Sequence, residues 1–241
     1  MSVRTKFAQE MESVKMAVIR MCGKVKQAIE NSIKALIERR HSYAHAVIEG
    51  DKEINQMEFE IERKCFAIML RQQPVASDFR LITAALQIIS DLERIGDQAC
   101  DIAYMALKFK EKEEYFKELV IIPAMAQAAV EMVNHCIDAY IKDDLDLARD
   151  TIAMDDIVDT KFEELKDDLS AHIKKNPAKN TDQSLQFLLI GKHLEKIGDH
   201  AVNMCAWVNF SNTGRKRFDN LLSDTLNLSA DIKEEHNGQP Q

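Results

Sequence analysis

Oxygen-donor side chains recur one helical turn apart at two places in the sequence. They form two sets with the same four-residue spacing: Glu93, Asp97 and Asp101, then Glu195, Asp199 and Asn203. In an α-helix this spacing puts the side chains on one face, about 6 Å apart along the axis. Carboxylates at that separation can share a cation or bridge neighbouring cations, and clustered oxygen donors favour Mg, Ca, Mn or Fe over soft metals.

Each set, called a ladder below, is expected to face away from the protein core. At about 100° per residue, the ladders lie roughly 130 to 210° from the centre of the apolar stripe on the same segment. Further oxygen donors precede each ladder at a common spacing and can add ligands from an adjacent helix: Asp51 and Asn55 in the first case, Asp155 and Asp159 in the second.

A row of acids on a helix is often no more than a solvated face. Here two features favour a binding site. Like charges at i and i+4 cost a few tenths of a kcal/mol, and mid-helix glycines such as Gly96 and Gly198 cost about 1 kcal/mol each relative to alanine. A face that served only solubility would carry neither, whereas a missing Cβ lets another helix or a ligand approach closely.

The ladders belong to a duplicated segment. The sequence LERIGD at residues 92–97 is repeated as LEKIGD at residues 194–199. The motif that begins with Asp51 and ends with Asn55 is likewise repeated as one that begins with Asp155 and ends with Asp159. The offsets are about 102 and 104 positions, so the two copies differ by about two residues in an intervening turn.

Apolar residues at three-or-four-residue spacing predict six amphipathic helices, and the low Gly and Pro content agrees with an all-α fold. The expected helices are Phe7–Arg40, a second one that follows a break near Gly50-Asp51 and ends before Pro74, Leu81–Phe109, Val120–Ile141, Asp155–Lys174 and Asp182–Asn209. They predict two tandem three-helix bundles, residues 1–109 and 119–210, with a charged linker at 110–118 and a flexible polar tail at 211–241.

Composition limits the classes of partner. The formal net charge of −8 argues against binding to nucleic acid or anionic lipid, because both require clustered Lys and Arg. No secretory signal and no run of eighteen apolar residues is present, so any membrane link is expected to pass through another protein. The five cysteines are widely spaced among core positions, which predicts reduced packing thiols and a cytosolic protein.

The sequence has no phosphate-binding Gly-rich loop, no Gly-x-Ser-x-Gly elbow and no His-Glu-x-x-His motif, so we expect a protein that is not an enzyme. A carboxylate-bridged di-iron enzyme remains an alternative, but such sites need two Glu-x-x-His segments and only Glu38 with His41 has that spacing. A metal-free helical adaptor is a further alternative. His200 follows Asp199 as a candidate outer-shell residue, although its counterpart in the first copy is Gln98.

The chain resembles the PhoU family of phosphate-uptake regulators over roughly residues 4–210. The resemblance rests on the duplicated LERIGD and LEKIGD segments, the Asp51 and Asp155 motifs, the Arg4-x-x-Phe7 start and the PVASDFR turn at residues 74–80. It implies multinuclear metal sites on the two faces, held by the ten residues Asp51, Asn55, Glu93, Asp97, Asp101, Asp155, Asp159, Glu195, Asp199 and Asn203. Fe, Mn, Mg, Ca and Zn stay open, and Asn55 departs from the family's Asp.

The resemblance also implies a cytoplasmic, metal-binding regulatory adaptor of phosphate homeostasis. Family members negatively regulate phosphate uptake and the phosphate-starvation response by coupling a phosphate ABC transporter to a phosphate-sensing histidine kinase. The expected partners are therefore the transporter's ATPase subunit, the kinase and a second copy of the chain in a homodimer.

Overall fold

The computed structural model describes residues 3–72, 74–109, 115 and 120–215 of the 241-residue chain. These residues form helices and no strand: α1 (Val3–Ile37), α2 (His41–Gln72), α3 (Ala76–Ala106), α4 (Ile121–Lys142), α5 (Leu145–Ala153), α6 (Asp155–Lys175) and α7 (Pro177–Thr213). The predicted all-α fold of two three-helix units is confirmed. Apart from Tyr115, the predicted linker lies outside the described residues, as do residues 216–241 of the predicted tail.

In the first unit the predicted break near Gly50-Asp51 is wrong. Helix α2 begins ten residues earlier, at His41, and runs through Gly50 without interruption. The apolar spacing continues on both sides of Gly50, through the buried residues Ala44, Val47 and Ile54. A Cβ on Gly50 would face open space, so no packing contact depends on the glycine. Its only cost to the helix is the low helix propensity of glycine. The chain reverses instead at Arg39, which has a φ of 54°, and α1 therefore ends at Ile37.

In the second unit the segment before Asp155 forms a helix that the sequence did not predict. The side chain of Asp144 caps α5 by accepting a hydrogen bond from the Leu147 backbone N–H at 3.0 Å. Helix α5 is separated from α6 by the single residue Met154, so the pair takes the place of the continuous α2. Helix α7 begins at Pro177, five residues before the predicted start at Asp182, because Asn176 caps it and proline suits the first turn.

The two units are joined through α3 with α7 and through α1 with α4. His200 Nδ1 donates to Asp91 Oδ1 at 2.9 Å, and His193 Nδ1 donates to Gln98 Oε1 at 2.8 Å. Partner positions fall along α7 as they rise along α3, so the helices are antiparallel. At the 102-residue offset Asp91 corresponds to His193 and Gln98 to His200, and the two bonds are therefore related by the pseudo-twofold symmetry of the duplication.

All five cysteines are buried and free, as the sequence predicted. Burial raises the pKa of the Cys22 thiol to about 11 and that of Cys65 to about 12, which keeps both protonated and unreactive at neutral pH. Within the described residues, none of the helices combines the length and the hydropathy that a bilayer-spanning helix requires.

Candidate metal centre

The first acidic face lies where α2 packs against α3. Gly96 makes the approach close, because Cδ1 of Ile54 on α2 lies 3.2 Å from the position that a Cβ on Gly96 would take. Glu93 is half-buried while Asp97 and Asp101 are exposed, so the ladder points away from the core as predicted. Asp51 is half-buried on the neighbouring helix and completes the group.

Burial and mutual repulsion act together on these carboxylates. Partial burial is the largest cause of the raised pKa of Glu93, followed by the negative charges of Asp97, Glu58 and Asp51. The pKa of Asp97 is raised by burial, then by Asp51 and Asp101. The charged forms are therefore less stable here than on an isolated carboxylate, and a bound cation would offset the repulsion.

Glu58 also belongs to this face, although its position in the sequence did not predict it. It lies two turns after Asp51 on α2, and burial followed by repulsion from Glu62 raises its pKa, with a smaller contribution from Asp97. At the 104-residue offset its counterpart is Phe162, so the duplication gave no signal for it. Glu58 supplies a carboxylate to the face on which Asn55 is only a neutral amide, and that amide donates to Asp51 Oδ2 at 3.3 Å.

The second acidic face lies between α6 and α7 and repeats the design with a closer contact. A Cβ on Gly198 would lie 2.6 Å from Asp155 Oδ1, so the carboxylate occupies the space that the glycine leaves. Burial, followed by repulsion from Asp159, Asp199 and Glu195, raises the pKa of Asp155 to about 6. Burial and Glu195 also raise the pKa of Asp199.

The second face carries a basic residue that the first lacks. Lys192 forms an ion pair with Glu195, and its counterpart in the first unit is Ser90. Asp159 and Asp199 are exposed beside this pair, and Asn203 is exposed at the far end of its ladder. The two faces thus share their architecture but differ in charge.

One buried oxygen is unpartnered at the same position in both units. Asp51 Oδ1 and Asp155 Oδ1 are shielded from solvent, and neither has a hydrogen-bond partner among the described residues. A buried carboxylate oxygen without a partner is costly, and a bound ion is one of the few arrangements that satisfies it. Across the described ranges, no three His, Cys, Asp or Glu side chains are gathered closely enough to hold an ion as they stand. The donors nonetheless fit a hard cation in type and number.

The histidines between the units are tied to the first unit's helix. His200 bonds to the buried Asp91 and not to a ladder carboxylate, so it holds α7 against α3. His193 lies 3.7 Å from Asp101, the outermost acid of the first ladder. The spacing of Glu38 and His41 suggested a di-iron site. His41 is instead the first residue of α2, and its Nε2 lies 2.8 Å from the Phe109 carbonyl oxygen.

Two copies of one three-helix unit, each with an acidic outward face beside a helix glycine, define a class of duplicated all-α proteins. The sequence matches the PhoU domain twice, at residues 18–106 and 122–208, and the chain belongs to the PhoU family.

Curated relatives and solved structures agree with this assignment. A PhoU homolog of Aquifex aeolicus, named a phosphate-specific transport system accessory protein, is 36% identical over 79% of this chain and 86% of its own length. The Escherichia coli K12 protein of that name is 31% identical over 90% of this chain and 92% of its own. The crystal structure of PhoU from Pseudomonas aeruginosa superposes with a TM-score of 0.81 at 33% identity, covering 86% of this chain and 99% of that one.

Proposed function

We propose that the protein is a metal-binding regulatory adaptor of phosphate homeostasis. It acts in the cytoplasm, where it restrains phosphate uptake and the phosphate-starvation response by coupling a phosphate ABC transporter to a phosphate-sensing histidine kinase. Its relatives carry the name of phosphate-specific transport system accessory proteins, which supports a role beside a transporter and a protein that is not an enzyme.

The observation that carries the metal-binding part is the orphaned oxygen of Asp51 and its equivalent in Asp155. Two copies of a unit that have diverged at many surface positions both keep a buried, unpartnered carboxylate oxygen beside an acidic ladder. The ligands proposed for the first face are Asp51, Asn55, Glu58, Glu93, Asp97 and Asp101, and those for the second are Asp155, Asp159, Glu195, Asp199 and Asn203. A hard cation held by these groups would supply positive charge that relieves the repulsion between them.

The proposed partners are the ATPase subunit of the transporter, the cytoplasmic part of the sensor kinase and a second copy of the chain. The acidic balance of the chain supports protein partners over nucleic acid. Contact with the membrane is then indirect, through the transporter and the kinase.

Pull-down with the purified ATPase subunit and the purified cytoplasmic part of the kinase tests the adaptor role. We expect the wild type to retain both proteins. A variant that combines Glu93→Ala, Asp97→Ala, Glu195→Ala and Asp199→Ala tests whether the metal is needed for partner binding, as a regulatory metal would be, or only for the fold, as a structural metal would be. Retention of neither partner by the wild type would refute the adaptor role, whatever the metal content.

The metal-free adaptor is the second candidate, and elemental analysis separates it from the first. A di-iron enzyme is tested by oxygen consumption of the iron-loaded protein, and we expect none because His41 is engaged with the Phe109 carbonyl.

A further inference from the structure

Helix α2 carries an apolar stripe on the side opposite the core. Phe59 is 51% exposed, Phe66 44% and Leu70 84%, and Arg63 lies among them with its guanidinium 5.7 Å from the centre of the Phe59 ring. At 100° per residue these four positions fall within an arc of about 60°. We call them the α2 stripe.

The fold does not need the α2 stripe, as the duplicated unit shows. Phe59, Phe66 and Leu70 correspond to Glu163, Ser170 and Lys174 on α6, all of them exposed and polar. The same three-helix unit therefore folds with a hydrophilic surface at these positions. Contiguous exposed apolar residues in one copy alone mark a surface that contacts something.

Two more exposed apolar residues follow the α2 stripe along the chain. Val75 is 55% exposed and Phe79 is 53% exposed, just beyond the end of α2 that carries Leu70. The two aromatic rings on α2 give the stripe the residue types that dominate interface energetics.

The charged residues beside the α2 stripe indicate what kind of partner fits it. Glu60 and Arg71 lie on the same flank, eleven residues apart, which is about 16 Å along the helix axis. Among the described residues neither forms an ion pair, and Glu60 accepts a hydrogen bond from the Gln56 amide. When a second copy of α2 packs antiparallel to the first, its Glu60 lies beside Arg71 of the first copy. The charges on this surface are therefore complementary to those of the same surface on a second copy.

We propose that a second copy of this chain docks on the α2 stripe, with the two α2 helices antiparallel about a twofold axis near Phe66. Phe59 of each copy then faces Leu70 of the other, and each Glu60 reaches the other copy's Arg71. Isologous contacts of this kind close after two subunits and form a dimer. The inference gives an interface to the proposed homodimer and rests on that part of the proposed function alone.

A protein surface fits the α2 stripe better than a membrane does. Asp51 and Glu58 lie along the neighbouring side of the same helix, and anionic lipid headgroups would be repelled by them. The few large residues involved place the contact at or below the lower end of specific interfaces, so we expect a dissociation constant in the micromolar range.

Sedimentation velocity in the presence of a chelator tests the interface, because the chelator excludes dimers bridged by metal ions. From about 2 to 200 µM, the wild type should rise from the monomer mass of 27.5 kDa towards twice that value. Phe66→Ser with Leu70→Lys, the residues that the second unit carries there, should stay monomeric throughout. Leu185→Ser with Leu189→Ser is the matched control, because these leucines are 47% and 43% exposed on the other unit, and it should behave as the wild type.

Charge reversal tests the antiparallel arrangement. Glu60→Arg alone places arginines together, Arg71→Glu alone places glutamates together, and each should weaken self-association at least about tenfold. Mixing the two single variants should restore association, since each supplies the charge that the other lacks. Circular dichroism establishes that every variant is folded.

A wild type that stays monomeric at the highest concentration overturns the interface on the α2 stripe and leaves the regulatory role standing. A dimer that survives Phe66→Ser with Leu70→Lys overturns the interface alone. If that variant instead loses the ATPase subunit or the kinase in pull-down while the wild type is monomeric, the α2 stripe belongs to that partner and the second-copy proposal is wrong.

Discussion

Gly198→Ala should separate metal binding from stability at the second acidic face. The new Cβ would lie 2.6 Å from Asp155 Oδ1, a separation shorter than van der Waals contact allows. The carboxylate must therefore leave its place beside α7. The helix itself accepts alanine readily, since glycine in a helix interior costs about 1 kcal/mol relative to alanine.

The expected magnitudes have opposite signs. Displacing a carboxylate from a metal site should weaken binding at least about tenfold, which corresponds to about 1.4 kcal/mol. Metal-free stability should stay the same or rise by up to about 1 kcal/mol, because burial and repulsion, which raise the pKa of Asp155 to about 6, are relieved when the group moves into solvent.

Titration calorimetry with Mn²⁺, together with chemical denaturation of the chelator-treated protein, provides both quantities. The titration should use the Glu93→Ala, Asp97→Ala background, so that only the second face contributes. Gly96→Ala, tested with Glu195→Ala and Asp199→Ala, is the matched control. Its Cβ would meet the Ile54 side chain at 3.2 Å and would displace no carboxylate, so Mn²⁺ affinity should change by less than about twofold.

Unchanged Mn²⁺ affinity in Gly198→Ala would refute the place given to Asp155 in the second face. An equal loss of Mn²⁺ affinity in Gly198→Ala and in Gly96→Ala would also contradict the prediction. Tighter helix packing, and not the displaced carboxylate, would then be the cause of weaker binding.

Three further predictions concern single features. Glu93→Ala with Asp97→Ala should lower metal content without loss of helicity by circular dichroism, because these side chains lie on the outward face; a large loss of helicity would contradict that placement. In metal-free protein Asp155 has a pKa of about 6 when folded and about 4 when unfolded, so its protonated form favours folding at low pH and that contribution is lost as pH rises through 6. Asp155→Asn should therefore flatten the pH dependence of the free energy of unfolding between pH 4 and 6 and raise stability at pH 7.5 by about 1 kcal/mol after allowance for solvent screening, whereas an unchanged pH profile would count against the shifted pKa. His200→Ala should destabilise the protein by about 2 kcal/mol in urea denaturation, since it leaves the buried Asp91 carboxylate without its partner, and adding Asp91→Asn should recover part of that loss.

The sequence predicted the fold because hydrophobic periodicity and duplication gave the same result. Each ladder could be placed on an outward face from helical phase alone, and Gly96 and Gly198 could be recognised as sites of close approach. That Asp155 itself fills the space beside Gly198 could not be predicted, because it depends on how α6 packs against α7.

The errors have physical causes. Gly50 looked like a helix end, yet a glycine that faces open space does not stop a helix whose core contacts continue on both sides. The turn after α1 depends on a left-handed backbone conformation at Arg39. A glycine at that position would have predicted such a turn, but an arginine does not. Glu58 and the Asp91–His200 bond were not predicted because both depend on tertiary contacts, and because the second unit carries Phe162 at the position that corresponds to Glu58.

Elemental analysis of protein purified without chelator tests the binding of cations by the two acidic faces most directly. The wild type should contain at least one hard metal ion per three-helix unit, and the variant with Glu93→Ala, Asp97→Ala, Glu195→Ala and Asp199→Ala should contain none at unchanged helicity. A wild type that holds no ion, and takes up none when titrated with Mn²⁺, Fe²⁺, Mg²⁺, Ca²⁺ or Zn²⁺, would contradict the account.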